Sequence, residues 1–447
     1  MSEMPSQRAN GAATGRAAAT FVVALIGVAC AAATFALVFR VALLTWYQHA
    51  FGAANVVDAI AGLPWWGRLF VPPAGAFVVG LFVVWQQPDA QGVSNVMEAV
   101  ALGNVRLSWR TTLSRVARSW IAIASGLSIG REGPLIEFGG TAGAVVGRRL
   151  HLPTRHVRIL IAAGTAAGFA AAYNTPFAAV LFVLETILGI AALSPLLAVI
   201  ISTVIATTVT RAMVGAGPIY GARAFASESL ANLIAFGVLA TTAAGLATVF
   251  KGLLAFFEDW MRRAPVPQAI RPLVGGLMVG LIAIGLPEIV GNGYEPINAM
   301  LDVRLLAPAA AALIVAKMVA TSASVGSGIP GGVFTPTLML GAALGVVCQR
   351  LAALMLGAHA AGPGSYALVG MAAMTAASVH APLTAAVLVF ELSGDYAVVV
   401  PLLLATAVAT AVSKRLGSES VYDAELHRRG VQWDLTLDGR RILGRRP

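Results

Sequence analysis

The residues best suited to chemistry lie in the stretch GLSIGREGP, from Gly126 to Pro134. This stretch places the carboxylate of Glu132 and the guanidinium of Arg131 in a glycine-rich break between two apolar segments. In a membrane protein such a charged group is costly to keep, so it points to function. Glycine lets the backbone approach a ligand closely, and a helix starting near Pro134 turns its amide groups toward the same point. The stretch therefore predicts an anion site with a proton-sensitive gate.

The composition places the chain in a membrane. Of its 447 residues, 58% are hydrophobic and 11% are charged, and the mean hydropathy is +0.81, whereas a soluble protein carries roughly 25% charged residues. The apolar runs are long and do not alternate, which favours a bundle of helices over a membrane barrel. The net charge of +10 comes largely from basic residues in short polar breaks, which is typical of membrane topology and not of nucleic-acid binding. We expect a multi-pass protein of the cell (inner) membrane.

The apolar segments are short and irregular. Several contain fewer than the ~20 residues that a straight span requires, and broken helices are typical of transporters and channels with a site near the middle of the membrane. We expect a polar tail at 1–16, one membrane domain at 17–430 with halves at about 17–215 and 225–430, and a basic tail at 431–447. The histidines show no metal-ligand spacing and no nucleotide-binding loop occurs, so we expect no metal and no cofactor.

An internal repeat divides the chain. The segment AAYNTPFAAVLFVLE resembles AASVHAPLTAAVLVFE, and in each a proline, Pro176 or Pro382, precedes a glutamate by nine residues, Glu185 or Glu391. Upstream of them, IGREGP corresponds to GGVFTP. Two related halves, each with a break before a helix, predict a pseudo-two-fold membrane fold. If the halves are inverted, the two breaks meet at one point.

These motifs resemble those of the CLC family of chloride channels and transporters. GREGP at 130–134 and GSGIPGGVFTP at 326–336 are similar to two of its ion-binding segments, and the two repeat segments are similar to two further signatures. Tyr422, in SESVYDAEL, lies where the family has its central tyrosine. The resemblance runs from about Gly92 to Tyr422. It implies an all-α integral membrane protein of the short bacterial branch, with many tilted and re-entrant helices in two inverted-repeat halves. It also implies cytoplasmic termini, so that the tail at 1–16 is cytoplasmic.

The resemblance also implies a function and partners. It implies transport of chloride, with other anions such as nitrate as alternatives, across the lipid bilayer by a homodimer with one pore in each subunit. Unpaired amides at helix starts carry partial positive charge, which suits an anion that must both bind and leave. Glu132 matches the family's gate, which competes with chloride when ionised and swings away when protonated. The implied chloride ligands are the amides of Val333 and Phe334 with the Tyr422 hydroxyl at a central site, and the amides around Arg131 to Gly133 at an outer site.

The first ion-binding segment departs from the family pattern. Where the family has GSGIPEIE, this chain has QGVSNVME at residues 91–98. Aligned on the final glutamate, Gly92 replaces the serine whose hydroxyl would touch the ion, and Ser94 lies close in sequence. A second departure is Glu137, where a neutral amide is usual, and for this residue we expect a packing or salt-bridge role.

Thr186 leaves the transport mechanism open. Proton-coupled members of the family commonly carry a second glutamate directly after the position of Glu185, and this chain has Thr186 there. A hydroxyl does not relay a proton as a carboxylate does, which favours a chloride channel with a glutamate gate. The alternative is a Cl−/H+ antiporter, because some exchangers lack that glutamate, and protons are then a second ligand. Ser94, Glu185, Thr186 and Glu391 are candidates for a supporting shell or a proton path, and for the two glutamates the alternative is hydrogen bonding at helix ends.

Two functions of other classes compete with anion transport. A membrane-embedded enzyme would use Glu132, Glu185 or Glu391 as an acid or base, but no nucleophile–base pair accompanies them in the sequence. A cation-coupled transporter would bind its ion with carboxylates, but aspartate is scarce in the apolar segments. For Glu132 the alternative to a gate is a carboxylate that merely caps a helix start. We expect an anion transporter and no enzyme activity.

Overall fold

The computed structural model describes residues 4–85, 92–102, 107–189, 195–221, 229–436 and 439–445. In the first half these residues form helices α1 (Met4–Phe51), α2 (Val56–Ala61), α3 (Trp65–Trp85), α4 (Gly92–Leu102), α5 (Trp109–Ala124), α6 (Glu132–Arg149), α7 (Thr154–Tyr173), α8 (Pro176–Phe182) and α9 (Leu196–Val214). A π-helical turn, Val183–Leu188, follows α8.

The second half contains helices of similar length and order. They are α10 (Leu230–Arg263), α11 (Arg271–Gly285), α12 (Tyr294–Leu301), α13 (Ala307–Gly326), α14 (Phe334–Leu356), α15 (Pro363–Val379), α16 (Pro382–Ser393), α17 (Val399–Arg415) and α18 (Val421–Arg428). Short 3₁₀ turns lie at Pro287–Ile289, Gly357–His359 and Tyr396–Val398, and strands β1 (Val431–Thr436) and β2 (Gly439–Arg445) follow α18.

The helical membrane fold predicted from the sequence is confirmed. Among the described residues, seven helical segments are long and apolar enough to cross a membrane, and several others are shorter, such as Pro176–Leu188 and Pro382–Ser393. A mixture of full and short spans is what a transporter or channel with a buried site requires. Helical backbone at membrane depth satisfies its own hydrogen bonds, and its broken ends are tolerated only where protein or a cavity surrounds them.

The structure adds detail at the two ends of the chain. Helix α1 begins at Met4, and the part of it that is apolar enough to cross a membrane begins at Ala17. The basic tail at 431–447 contains an antiparallel strand pair, in which Val431 faces Arg445 and Thr436 faces Gly439. Gly439, which begins β2, is the second residue of an Asp–Gly pair, a hairpin signal in the sequence that the prediction overlooked.

Helices α7 and α15 are the buried centres of the two halves. Each packs against the preceding long helix through glycines at equivalent positions. A β-carbon on Gly139 of α6 would lie 2.0 Å from the carbonyl oxygen of Gly164, and one on Gly341 of α14 would lie 2.2 Å from that of Gly370. Both Gly139 and Gly341 lie seven residues beyond the first residue of their helix. Small residues allow helix backbones to approach this closely in membranes, so the repeat determines the packing of both halves.

We predict that Gly341→Val destabilises the protein. The new side chain collides with the backbone of Gly370 and forces α14 away from α15, an overpacking penalty of about 1–3 kcal/mol. The melting temperature of the purified protein in detergent should fall by several degrees. Gly237→Val in α10 is the matched control, because a β-carbon there meets no atom within 4 Å. Equal melting temperatures for the two variants would contradict the packing argument.

Candidate anion site

The two glycine-rich breaks meet in the interior of the protein. Gly130 N donates to Gly332 O at 2.6 Å, and Gly332 N donates to Gly130 O at 2.9 Å, as an isolated antiparallel bridge. Each glycine lies two residues before the start of its helix, α6 or α14. Equivalent residues of the two repeats therefore exchange hydrogen bonds across a local two-fold axis. The inverted arrangement of the halves is confirmed, and the N-termini of α6 and α14 lie beside each other.

The carboxylate of Glu132 lies at the start of helix α14. Its Oε1 accepts hydrogen bonds from the amides of Phe334 at 2.9 Å and Thr335 at 3.2 Å, and its Oε2 accepts from Thr335 Oγ1 at 2.8 Å. Glu132 is 1% exposed. The N-cap residue of α14, Val333, supplies no side-chain cap. The carboxylate from one repeat therefore occupies the anion-binding position that the helix start in the other repeat creates.

Glycine is required on both sides of this carboxylate. A β-carbon on Gly130 would lie 2.2 Å from Glu132 Oε1, and a β-carbon on Gly332 would lie 2.1 Å from the same atom. Any side chain at either position would displace the carboxylate. The spacing of the glycines in IGREGP and GGVFTP is therefore explained by the space that Glu132 needs.

Glu132 lines one of two cavities, and the neighbouring Arg131 lines the other. One, of about 380 Å³, is lined by Glu132 together with Gly92, Gly133, Val333 and Tyr422, which the sequence assigned to the site. The other, of about 490 Å³, is lined by Arg131 but not by Glu132. Adjacent residues of one loop thus face different cavities.

Charged residues surround both cavities. The first cavity is also lined by Glu258, Arg262, Arg271, Glu425, Arg428 and Arg429. The second is also lined by Arg40, Tyr294 and Glu295. Arginines in both walls raise the local concentration of anions, because clefts with low-dielectric walls focus the field of their charges.

Tyr422 lies in an aromatic wall beside the first cavity. It is 7% exposed, and its ring meets that of Phe182 edge-on at 6.3 Å. Phe182 in turn meets the ring of Phe334 edge-on at 6.1 Å. The rings fix the position of Tyr422 relative to the start of α14. The three residues come from separate parts of the chain, and the sequence had placed two of them, Phe334 and Tyr422, in one site.

Gly92 lines the first cavity, whereas Ser94 is hydrogen-bonded elsewhere. Gly92 lines the first cavity, has a φ of 58°, and a β-carbon on it would meet no atom within 4 Å. Ser94 is buried, and its hydroxyl donates to Glu425 Oε2 at 2.7 Å. The Ser94 hydroxyl is therefore engaged with a carboxylate of helix α18. It does not take the place of the serine that Gly92 replaces.

Glu185 and Glu391 each cap a helix start in the other repeat. Glu185 accepts hydrogen bonds from the amides of Leu383 at 3.1 Å and Thr384 at 2.7 Å, at the start of α16. Glu391 accepts from the amides of Phe177 at 3.2 Å and Ala178 at 2.8 Å, at the start of α8. These reciprocal contacts are the helix-end hydrogen bonds that the sequence analysis offered as the alternative to a proton path.

Thr186 and Glu137 are held by local contacts. The Thr186 hydroxyl donates to the carbonyl oxygen of Phe182 at 2.5 Å, within its own helical turn. Glu137 forms a salt bridge with Arg115, with 3.1 Å between Oε1 and Nη1, and both side chains are buried. Thr112 Oγ1 also donates to Glu137 at 3.3 Å. The predicted salt-bridge role of Glu137 is confirmed.

Sequence reasoning missed two residues that contact the site. Thr335 lies in the recognised GGVFTP motif, but only the backbone of that motif was considered. Tyr173 lies in the recognised repeat segment AAYNTPFAAVLFVLE, directly before Asn174, and its hydroxyl lies 2.7 Å from Thr335 Oγ1. Both residues lie within motifs, so the polar side chain at each position was the available signal.

Comparison with known proteins identifies the relatives of this arrangement. Residues 75–414 match the family described as voltage gated chloride channel. A putative chloride channel protein, ClcB-like, from Ralstonia nicotianae is 39% identical over 415 residues, which are 91% of this chain and 96% of that protein. The voltage-gated ClC-type chloride channel ClcB of Salmonella typhimurium is 31% identical over 412 residues, 90% of this chain and 97% of the relative.

Solved structures of low sequence identity have the same fold. The crystal structure of a slow cyanobacterial Cl−/H+ antiporter superposes with a TM-score of 0.82 at 24% identity, over 92% of this chain and 97% of that chain. A CLC-type fluoride/proton antiporter gives a TM-score of 0.66 at 20% identity, over 92% of this chain and 98% of the other.

We predict that Tyr422→Phe weakens halide binding to the purified protein. The change removes only the hydroxyl that lines the first cavity, and a hydrogen bond to an anion contributes about 1.5–3 kcal/mol. Calorimetric titration with chloride should therefore show an affinity at least tenfold lower. Tyr396→Phe is the control, because that side chain is 80% exposed. Unchanged affinity in Tyr422→Phe would remove the hydroxyl from the site.

Proposed function

This chain belongs to the voltage-gated chloride channel family, and we propose that chloride passes between its two cavities at a gate formed by Glu132. The chain is a multi-pass membrane protein whose family transports anions. The observation that carries the proposal is the carboxylate of Glu132, which accepts hydrogen bonds from the first amides of α14 at the wall of the first cavity.

A carboxylate and a chloride ion compete for the same amides. The first amides of a helix carry partial positive charge and bind whichever anion reaches them. Ionised Glu132 fills the place at Phe334 and Thr335 and excludes chloride. Protonated Glu132 loses its charge, binds these amides less tightly, and leaves the place open. Gating by pH follows from this competition.

The central site of the proposal lies in the first cavity. Its ligands would be the amides of Val333 and Phe334 and the hydroxyl of Tyr422, because Val333 and Tyr422 line that cavity beside Glu132. Partial charges suit an ion that must also leave, since a full opposite charge would hold it too tightly. Gly92 lines the same wall without a side chain, so anions larger than chloride, such as nitrate, are also accommodated.

A passive channel is the transport mode that we propose. The position after Glu185 carries Thr186, whose hydroxyl is bonded within its own turn, so this position offers no carboxylate to move protons. The second candidate is Cl−/H+ exchange. It is favoured by the position of Glu132 in the path, where a carboxylate that leaves the site protonated carries a proton with it, and two structures of similar fold come from proton-coupled antiporters.

Catalysis is not proposed. The three carboxylates considered as acid or base, Glu132, Glu185 and Glu391, each accept hydrogen bonds from amides at a helix start in the other repeat. That role uses them as anions, in a gate or in caps. We also propose that the protein forms a homodimer, as the family resemblance implies. Apolar side chains exposed on α9 and α17, including Leu197 at 73% and Val400 at 66%, are available to a second copy.

We predict that Glu132→Gln abolishes the pH dependence of chloride flux and leaves flux itself intact. Glutamine is neutral at every pH and does not compete with chloride as an anion. Chloride efflux from proteoliposomes should be constant between about pH 5 and 8. Glu419→Gln, at an exposed carboxylate, is the matched control and should keep the wild-type profile. A Glu132→Gln profile as steep as that of the wild type would exclude Glu132 as the gate.

The two transport modes are separated by recording chloride and proton movement together across proteoliposomes with a chloride gradient. Passive conduction predicts a chloride current that reverses at the chloride equilibrium potential, with no coupled proton flux. Exchange predicts proton movement driven against its gradient at a fixed ratio to chloride. Proton movement at a fixed ratio to chloride would contradict the channel proposal and establish Cl−/H+ exchange.

A further inference from the structure

We propose that the hydroxyls of Thr335 and Tyr173 form a latch that holds the Glu132 carboxylate in the closed gate and lowers the pH at which the gate opens. The inference rests on the proposed role of Glu132 as the gate. It assigns a positioning role to both side chains. Thr335 contacts the gate directly, and Tyr173 contacts it through Thr335.

The hydrogen bonds of the latch have a defined direction. Thr335 Oγ1 donates to Glu132 Oε2 at 2.8 Å, and the Tyr173 hydroxyl lies 2.7 Å from the same Oγ1. A threonine hydroxyl has one hydrogen, and Thr335 donates it in the hydrogen bond to the ionised carboxylate. Tyr173 must therefore donate to Thr335. Its donation polarises the Thr335 hydroxyl and strengthens a charge-assisted bond to the carboxylate.

Tyr173 is buried, and its ring is fixed by aromatic neighbours. It is 4% exposed, and its ring packs against those of Phe169 at 4.9 Å and Phe334 at 6.0 Å. It is the last residue of α7, and Asn174 after it has a left-handed φ of 56° that ends the helix. A buried hydroxyl needs a partner, so the position of Tyr173 favours the arrangement in which Thr335 points its hydrogen at Glu132.

Protonation of Glu132 removes the basis of the latch. A protonated carboxyl offers the two backbone amides a neutral acceptor, and its own hydrogen competes with that of Thr335 for the space between the two oxygens. The hydrogen bond between Thr335 and Glu132 is therefore charge-assisted for the ionised carboxylate and weaker for the neutral one. A contact that favours the ionised form lowers the pH at which the group takes up a proton.

Charged and ionisable side chains lie around Glu132 and the two cavities. Three tyrosines act on Glu132 electrostatically, Tyr173 of α7, Tyr220 and Tyr422 of α18, and tyrosine ionises only at high pH. The charged residues that line the two cavities are Arg40, Arg131, Glu258, Arg262, Arg271, Glu295, Glu425, Arg428 and Arg429. The arginines keep their charge at every pH, and Glu258, Glu295 and Glu425 are common to all variants compared below.

The latch has no counterpart in the other repeat. Tyr173 lies three residues before Pro176, and the residue three before Pro382 is Val379. Thr335 is the second residue of α14, and the second residue of α6 is Gly133. The pseudo-two-fold repeat has polar side chains at these places only where they meet the gate. Packing in the equivalent place is achieved without them, which assigns the two hydroxyls to the gate and not to the fold.

The test measures the pH of half-maximal chloride efflux from proteoliposomes for Thr335→Val and Tyr173→Phe. Each change removes a hydroxyl and keeps the shape of the side chain. We expect Thr335→Val to raise this pH by about one unit, the size expected for a hydrogen bond to a charged group, and Tyr173→Phe to raise it by less. Thr335→Ser retains the hydroxyl and should restore the wild-type value. Tyr366→Phe is the control, a buried tyrosine in α15 whose hydroxyl has no hydrogen-bond partner among the described residues.

A double variant separates the latch from a general effect on packing. Tyr173 acts through Thr335, so Tyr173→Phe should add no further shift in the Thr335→Val background. Independent, additive shifts would contradict the latch, as would unchanged or lowered values in both single variants. Because Tyr173→Phe loses a single oxygen atom, it remains informative if Thr335→Val does not fold. Failure of the gate itself is recognised separately, by a Glu132→Gln variant that keeps its pH dependence.

Discussion

The contact between the Glu132 carboxylate and the first amides of helix α14 is the interaction on which the rest of the structure depends. A helix start buried in a membrane protein requires an anion or a hydrogen-bond acceptor. In this protein the acceptor is the side chain of Glu132, which can leave the helix start when it is protonated. Oε1 accepts from Phe334 and Thr335, and glycines at 130 and 332 provide the space that the carboxylate needs. The surrounding fold keeps both partners in place.

The inverted repeat brings these partners together. Gly130 and Gly332 exchange backbone hydrogen bonds as equivalent residues, so the local two-fold axis passes through the site. Glu185 and Glu391 cap each other's repeat at a second pair of helix starts. In these caps the same interaction, a carboxylate that accepts hydrogen bonds from helix-start amides, has a structural role. The gate departs from the symmetry, since only one repeat supplies a carboxylate at the helix start.

Much of this arrangement could be predicted from the sequence, and the reasons for the exceptions are physical. The repeat, Glu132 and the glycine breaks are local patterns with fixed spacing. The contacts of Thr335 with Tyr173, 162 residues away, and of Ser94 with Glu425, 331 residues away, depend on packing that no local pattern records. The strand pair after residue 430 was missed because its turn signal was read as part of a polar tail. Conversely, the salt bridge of Glu137 was anticipated, because this chain has a carboxylate where the family that it resembles usually has a neutral amide.

The central claim is that carboxylate and halide compete for one set of amides, and bromide-soaked crystals of the native protein at low and at high pH test it most directly. At low pH the account predicts anomalous bromide density within hydrogen-bond distance of the amides of Phe334 and Thr335, with Glu132 displaced. At high pH it predicts the carboxylate in that position and no bromide there. Bromide at these amides together with an undisplaced Glu132, or an identical arrangement at both pH values, would contradict the account.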